Sequence, residues 1–242
     1  MIASGGRGLN DAGAAAMIEK AFAKGKPKAV ALVINSPGGS PAQSSLIAAR
    51  IRRLADEKEI PVFAFVEDVA ASGGYWLASA ADEIFVDATS VVGSIGVISA
   101  GFGMSELIAR YGIERRVYTA GTSKSMNDPF KPENPEDVAR LNVILEQLHE
   151  TFKQQIRSRR ANKLVERDLF TGEIWVGQGA VDVGLADGVG HLVPTLKERF
   201  GKKVKFRVYG QRKSLLSRIG ASAVGGLAHQ IEERAQFARF GL

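Results

Sequence analysis

Ala29-Val30-Ala31-Leu32-Val33-Ile34-Asn35-Ser36-Pro37-Gly38-Gly39-Ser40 is the stretch that decides the fold class. Its apolar run, Ala29 to Ile34, is too continuous for a sheet with one wet face and reads as a strand buried on both sides. The Ser-Pro-Gly-Gly segment cannot extend that strand, because proline withholds an N–H and the glycines favour a turn. A helix follows from about Pro41 to Lys58, and the same order then returns: an apolar strand, Val62 to Phe65, a short loop to Ala70-Ala71-Ser72-Gly73-Gly74, and a small-residue helix from Tyr75 to Ala81. Strand, turn, helix, repeated, is the pattern of parallel βαβ units in an α/β protein. Two glycine-rich turns thus fall at the carboxyl ends of neighbouring strands, where such sheets hold their sites.

Outward from this centre, Asp11 to Lys24 has helical spacing and is closed by Gly25 and Pro27. Ile84 to Val86, Val91 to Ile98, Arg116 to Thr119 and Lys203 to Val208 read as strands, and Ser105 to Tyr111 and Val193 to Phe200 as helices. A long amphipathic helix is expected from Pro135 to Arg160, capped by Asn134, with Pro135 in its first turn and Glu136 and Asp137 complementing the dipole. Glu173 to Val176 and Gln178 to Val183 form a last strand–helix pair. The expected division is one domain over 1–208 and a basic amphipathic helical tail over 209–242. Met1 to Gly6 reads as the end of a strand whose beginning is absent.

With 242 residues, 45% of them hydrophobic, the chain can bury one substantial core. It has no cysteine, which excludes a disulfide framework, a thiolate nucleophile and a Cys-built metal site. The net charge is +6, and residues 201–242 hold nine Lys or Arg against two Glu, so the body is near neutral and the tail basic. Such a tail is either a solvated, solubilising segment or a contact for an anionic surface. No stacking aromatics interleave its basic residues, so nucleic acid is not an expected partner. The longest apolar run falls far short of the ~20 residues that span a bilayer, and the N-terminus lacks signal-peptide order. A cytoplasmic location is expected, with peripheral inner-membrane contact through Leu215 to Phe240, apolar on one side and rich in Arg.

A serine or threonine attacks at neutral pH only beside a base. His149, His191 and His229 are the histidines, and none adjoins a glycine-rich turn. Ser72 ends a strand-to-helix loop, where N–H groups and the helix dipole favour developing negative charge, and Gly73 and Gly74 let a carbonyl come close. A serine at this place serves equally as a plain helix cap. The Ser36-Pro37-Gly38-Gly39 turn offers a second N–H beside that of Gly73, or is a turn and nothing more. Lys124, in Gly121-Thr122-Ser123-Lys124-Ser125, has small neighbours that leave its amine room; it acts as a base where a closed cleft desolvates it, and is otherwise a solvated loop lysine.

Four stretches together, INSPGGS (34–40), VEDVAASGGYWLA (66–78), VGSIGVI (92–98) and AGTSKS (120–125) with DPF at 128–130, resemble the signal peptide peptidase A family of bacterial serine proteases. The similarity runs from about Asp11 to Val208. It implies a crotonase-like (Clp protease-like) fold, Ser72 as nucleophile, Lys124 as general base and Ser94 as the residue that orients the lysine. It implies an oxyanion hole from Gly38 or Gly39 with Gly73, and no metal or cofactor. The implied substrates are signal-peptide remnants and other hydrophobic or unfolded peptides. The implied assembly is a cyclic homo-oligomer whose dyad forms either within a protomer or across a protomer boundary, with the 135–160 helix and the tail as contacts. Two other readings share the fold: a crotonase-type acyl-CoA enzyme, disfavoured because no acidic residue closely follows either glycine turn, and a non-catalytic peptide-binding scaffold.

Overall fold

The computed structural model describes residues 1–3, 8–121, 123–210, 235 and 237–241, which fall into two compact units, Met1–Ile95 with Phe152–Leu242, and Gly96–Thr151. In chain order the elements are α1 (Asp11–Ala23), β1 (Val30–Ser36), α2 (Pro41–Lys58), β2 (Val62–Ala71), α3 (Gly73–Ala78), β3 (Glu83–Val86), β4 (Val91–Gly93), α4 (Ser105–Arg110), α5 (Pro135–Arg160), β5 (Ile174–Val176), α6 (Gln178–Asp182), β6 (Gly188–Val189) and α7 (Leu192–Phe200). Side-chain caps set the helix starts: Asn10 accepts the Gly13 N–H, Ser40 that of Gln43, and Asn134 that of Glu136.

The first unit is built on β2. Along one edge β2 pairs in parallel with β1, and along the other with β3 and then β4; β6 adds to β3, and β5 closes the far side antiparallel to β4. Alternation along β2 divides the core in two. Val62, Ala64 and Val66 face α1, α2 and α3, while Phe63 and Phe65 face Leu196 of α7, with Phe85 stacked on Phe65 at 5.3 Å. Each phenylalanine so buried contributes roughly 2–3 kcal/mol of transfer free energy. The end of α5 within this unit seals the first face, with Phe152 stacked on Trp76 at 4.8 Å.

Several expectations need correction. β1 is an edge strand rather than a fully buried one, and Val33 is 56% exposed because α7 covers only the start of its face. β2 continues to Ala71 where a loop was expected; Glu67 and Asp68 look like loop residues because they face solvent at a register shift, and pairing resumes at Val69. The sheet is mixed, not wholly parallel, since β5 runs against β4. The strand at Val91 stops at Gly93. No strand forms at Arg116–Thr119 or Lys203–Val208, where strand-favouring residues find no neighbouring ladder. Most of the Leu215–Phe240 amphipathic segment lies outside the described residues. No described helix is long and apolar enough to cross a membrane.

A buried charge cluster pins the end of α5 to the segment before β6. Arg160, 2% exposed, donates to Asp187 at 2.9 Å and to the Gly184 carbonyl at 2.8 Å, while Lys163 reaches the other Asp187 oxygen at 2.6 Å. Burial works against the Asp187 charge, but the bonds from Arg160 and Lys163 outweigh it and hold the carboxyl below its usual value. A depressed folded value means stability that is present above the unfolded carboxylate pKa of about 4 and lost as pH falls through the folded value. Asp187→Asn is expected to cost roughly 3 kcal/mol in urea unfolding at neutral pH, because Arg160 would be left buried with half its partnership gone. The same variant should show a weaker fall in stability below about pH 4 than the parent.

Candidate active site

Three serines lie at the carboxyl ends of three adjacent strands. Ser36 on β1 stands opposite Ala70 of β2, and Ala71 stands opposite Gly93 of β4, so Ser36, Ser72 and Ser94 emerge side by side. Ser72 makes the turn from β2 into α3 with φ +51° and ψ −122°. That conformation is disfavoured for any residue with a Cβ and costs of the order of 1–3 kcal/mol. It is fixed by the chain on both sides: the Ser72 N–H donates to the Gly93 carbonyl at 2.8 Å, and its carbonyl accepts the Trp76 N–H at 3.0 Å. The hydroxyl does not cap α3, so the helix-cap alternative does not account for the serine.

The glycine turn packs directly on this elbow. A Cβ at Gly38 would lie 2.9 Å from the Ser72 Cβ and 3.0 Å from the Gly73 nitrogen. Ile2 lies along the back of the turn, donating to the Gly38 carbonyl at 3.0 Å and accepting the Ser40 N–H at 2.9 Å. The Gly38 N–H is taken by Ser36 Oγ at 3.2 Å, whereas the Gly39 N–H, on the side away from Ile2, donates to no described residue. The Gly73 N–H likewise has no described acceptor, and the Gly39 nitrogen is 3.4 Å from where a Gly73 Cβ would stand. Of the two glycines left open by the sequence, Gly39 is therefore the one with a donor to spare. Two unengaged N–H groups beside a hydroxyl can accept developing negative charge.

Sequence reasoning missed Ser44. It is fully buried, donates to the Ser40 carbonyl at 2.9 Å, and its Oγ would lie 2.4 Å from a Gly73 Cβ, so it fixes how closely α2 and α3 approach. Its sequence signal was a serine one turn into the helix that leaves the glycine turn. Ser94, also left-handed at φ +50°, is anchored by its N–H to the Glu173 carbonyl at 2.6 Å.

Lys124 belongs to the second unit, and Ser72 to the first; each is described within its own. Lys124 is exposed, in a turn closed by its own N–H to the Gly121 carbonyl at 3.2 Å, and the neighbouring Ser125 Oγ accepts from Lys131 at 3.3 Å. Two other proton carriers of the first unit, Tyr75 and His191, are committed elsewhere. The Tyr75 hydroxyl donates to the Leu185 carbonyl at 2.7 Å, and burial pushes it well above its ordinary value. His191 pairs with Asp87 at 2.8 Å, and the Thr89 hydroxyl and His191 hold the Asp87 carboxyl far below the usual range. Among the described residues no three His, Cys, Asp or Glu side chains gather to hold a metal.

Residues 55–204 match peptidase family S49. This chain belongs to that family. The S49 match takes in Ser72, Ser94 and Lys124, while Gly38 and Gly39 precede it. The S49 chain is a signal peptide peptidase A relative: it is 32% identical to the chloroplastic serine protease SPPA of Arabidopsis thaliana over 83% of its own length and 31% of that protein. It is 31% identical to the probable protease SohB of Haemophilus influenzae over 80% of its length and 55% of that protein. Over 97% of its length it is 47% identical to a Brucella melitensis protein named Na(+)/H(+) antiporter NhaA, of which it covers 34%. The S49 chain thus spans about a third of the Brucella and Arabidopsis relatives.

Proposed function

We propose that the S49 chain hydrolyses peptide bonds on a crotonase-like scaffold, with Ser72 as nucleophile and Lys124 as general base. The neutral Lys124 amine takes the Ser72 proton as Oγ bonds to the peptide carbonyl carbon; the oxyanion is held by the Gly39 and Gly73 N–H groups. The lysine then returns the proton to the leaving amine, the C–N bond breaks, and water activated by the same amine splits the acyl ester. Ser94, beside Ser72, orients the amine.

The observation that carries this reading is the strained, non-capping Ser72 elbow with two N–H groups beside it that meet no described acceptor. Strain of this kind persists where its surroundings over-determine it, and it concentrates at sites of chemistry. Hydrophobic or unfolded peptides, signal-peptide remnants among them, are the proposed substrates. In support, Val69, Ala71 and Val91 form an apolar cluster just before Ser72, and Phe237 and Phe240 of the chain's own end pack on it.

The dyad is proposed to form between protomers of a cyclic homo-oligomer. No described residue from Gly96 to Thr151 is buried, yet Phe102 is 83% exposed, Tyr118 90% and Val143 58%. Apolar exposure on that scale marks a surface meant for another protein. The Brucella relative is named an Na(+)/H(+) antiporter, and this chain covers 34% of it; no described helix of this chain is long and apolar enough to cross a membrane.

Labelling with a serine-reactive fluorophosphonate, alongside cleavage of an unfolded reporter protein, tests the reading. The parent chain is expected to be labelled and active, and Ser72→Ala neither. Undiminished cleavage by Ser72→Ala would overturn it.

A further inference from the structure

β2 changes neighbour halfway along its length. On the edge away from β1 it pairs with β3 as far as Val66, opposite Val86, and with β4 from Val69, opposite Val91. Glu67 and Asp68 on β2 therefore face a longer segment, Asp87 to Ser90, and the ladder is broken there. A break in the middle of a sheet leaves carbonyls without donors, and buried ones must be satisfied some other way.

Ser90 fills the break. It is wholly buried; its hydroxyl bonds the Glu67 carbonyl, lies 3.1 Å from the Val66 carbonyl, and accepts the Asp87 N–H at 2.9 Å. Its own N–H closes the turn on the Asp87 carbonyl at 3.1 Å, and its carbonyl accepts the Gly177 N–H at 3.0 Å. One residue so ties β2, the β3–β4 turn and the β5–α6 junction. Three residues further on, Gly93 presents the carbonyl that holds the Ser72 N–H, and Ser94 follows.

We infer that Ser90 is a positioning residue for Ser72: its hydroxyl sets the register in which β4 resumes along β2, and with it the anchor of the left-handed elbow. The inference rests on the reading of Ser72 as nucleophile. Without the hydroxyl, the Glu67 carbonyl loses its donor, β4 can shift against β2, and Ser72 can relax from φ +51° toward an unstrained conformation. A displaced nucleophile lowers the rate of the chemical step far more than it weakens substrate binding.

The test compares Ser90→Ala and Ser90→Cys with the parent and with Ser72→Ala, each assayed well below its own Tm. Ser90→Ala is expected to lower kcat about 10- to 100-fold with KM within about twofold, and to slow fluorophosphonate labelling in parallel. Ser90→Cys keeps the volume and a weak donor, so its kcat should fall between the two; it also serves if the alanine variant does not fold. A lowered Tm with parent-like kcat in either Ser90 variant would overturn the inference, since a purely structural role predicts that result. Cleavage that persists in Ser72→Ala would instead overturn the underlying assignment of the nucleophile.

Discussion

Ser72→Gly is expected to unfold at a higher temperature than the parent chain while cleaving no peptide. The parent residue sits at φ +51°, where glycine suffers no Cβ penalty, and its hydroxyl makes no cap bond that the substitution would remove. Relief of roughly 1–3 kcal/mol of strain is offset by the about 0.5–1 kcal/mol that glycine costs through the freedom of the unfolded chain. A net gain near 1 kcal/mol corresponds to a Tm increase of about 2–4 °C for a domain of this size. Loss of the nucleophile should lower kcat by about 10⁴ or more. Differential scanning calorimetry and reporter cleavage on the same preparation decide the matter. A lower Tm would show that the elbow is not where the chain stores strain, and would remove the main support for Ser72 as the attacking group.

Lys124→Ala and Ser72→Ala should each be inactive alone and should regain activity when co-assembled. If Ser72 of one protomer meets Lys124 of the next, a random ring of equal parts has both intact residues at about one quarter of its interfaces, so about a quarter of parent activity is expected. Because Lys124 is exposed and offers only its backbone to the turn, Lys124→Ala should leave the Tm of the chain unchanged. The mixture is unfolded together, refolded, and assayed against each variant treated alone. No recovery after verified co-assembly would place the dyad within one protomer or remove Lys124 from the mechanism.

The elements near the site were legible because their signals are local. Pro41 after Ser40 fixed the start of α2, Asn134 and Pro135 fixed that of α5, and uninterrupted apolar residues marked β1 and β2. Signals of the same kind misled at Arg116–Thr119 and Lys203–Val208, since a strand exists only through a partner that its own residues do not encode. Glu67 and Asp68 misled in the opposite sense: two exposed acids looked like a loop, although β2 passes through them to reach Ser72. The antiparallel direction of β5 had no sequence signal at all.

The sequence by itself determined which residue types stand at the two strand ends: a hydroxyl at Ser72, glycines at 38, 39 and 73, with no cysteine in the chain and no histidine adjoining either glycine turn in sequence. Only the tertiary structure decided that Ser72 is left-handed and does not cap, that the Gly38 N–H is engaged while those of Gly39 and Gly73 meet no described acceptor, and that Ser90 stands at the break in β2's pairing. The physical reason is that composition and spacing specify local conformations and available donors. Which donor is left free, and which strained conformation survives, depends on hydrogen bonds between segments far apart in the chain.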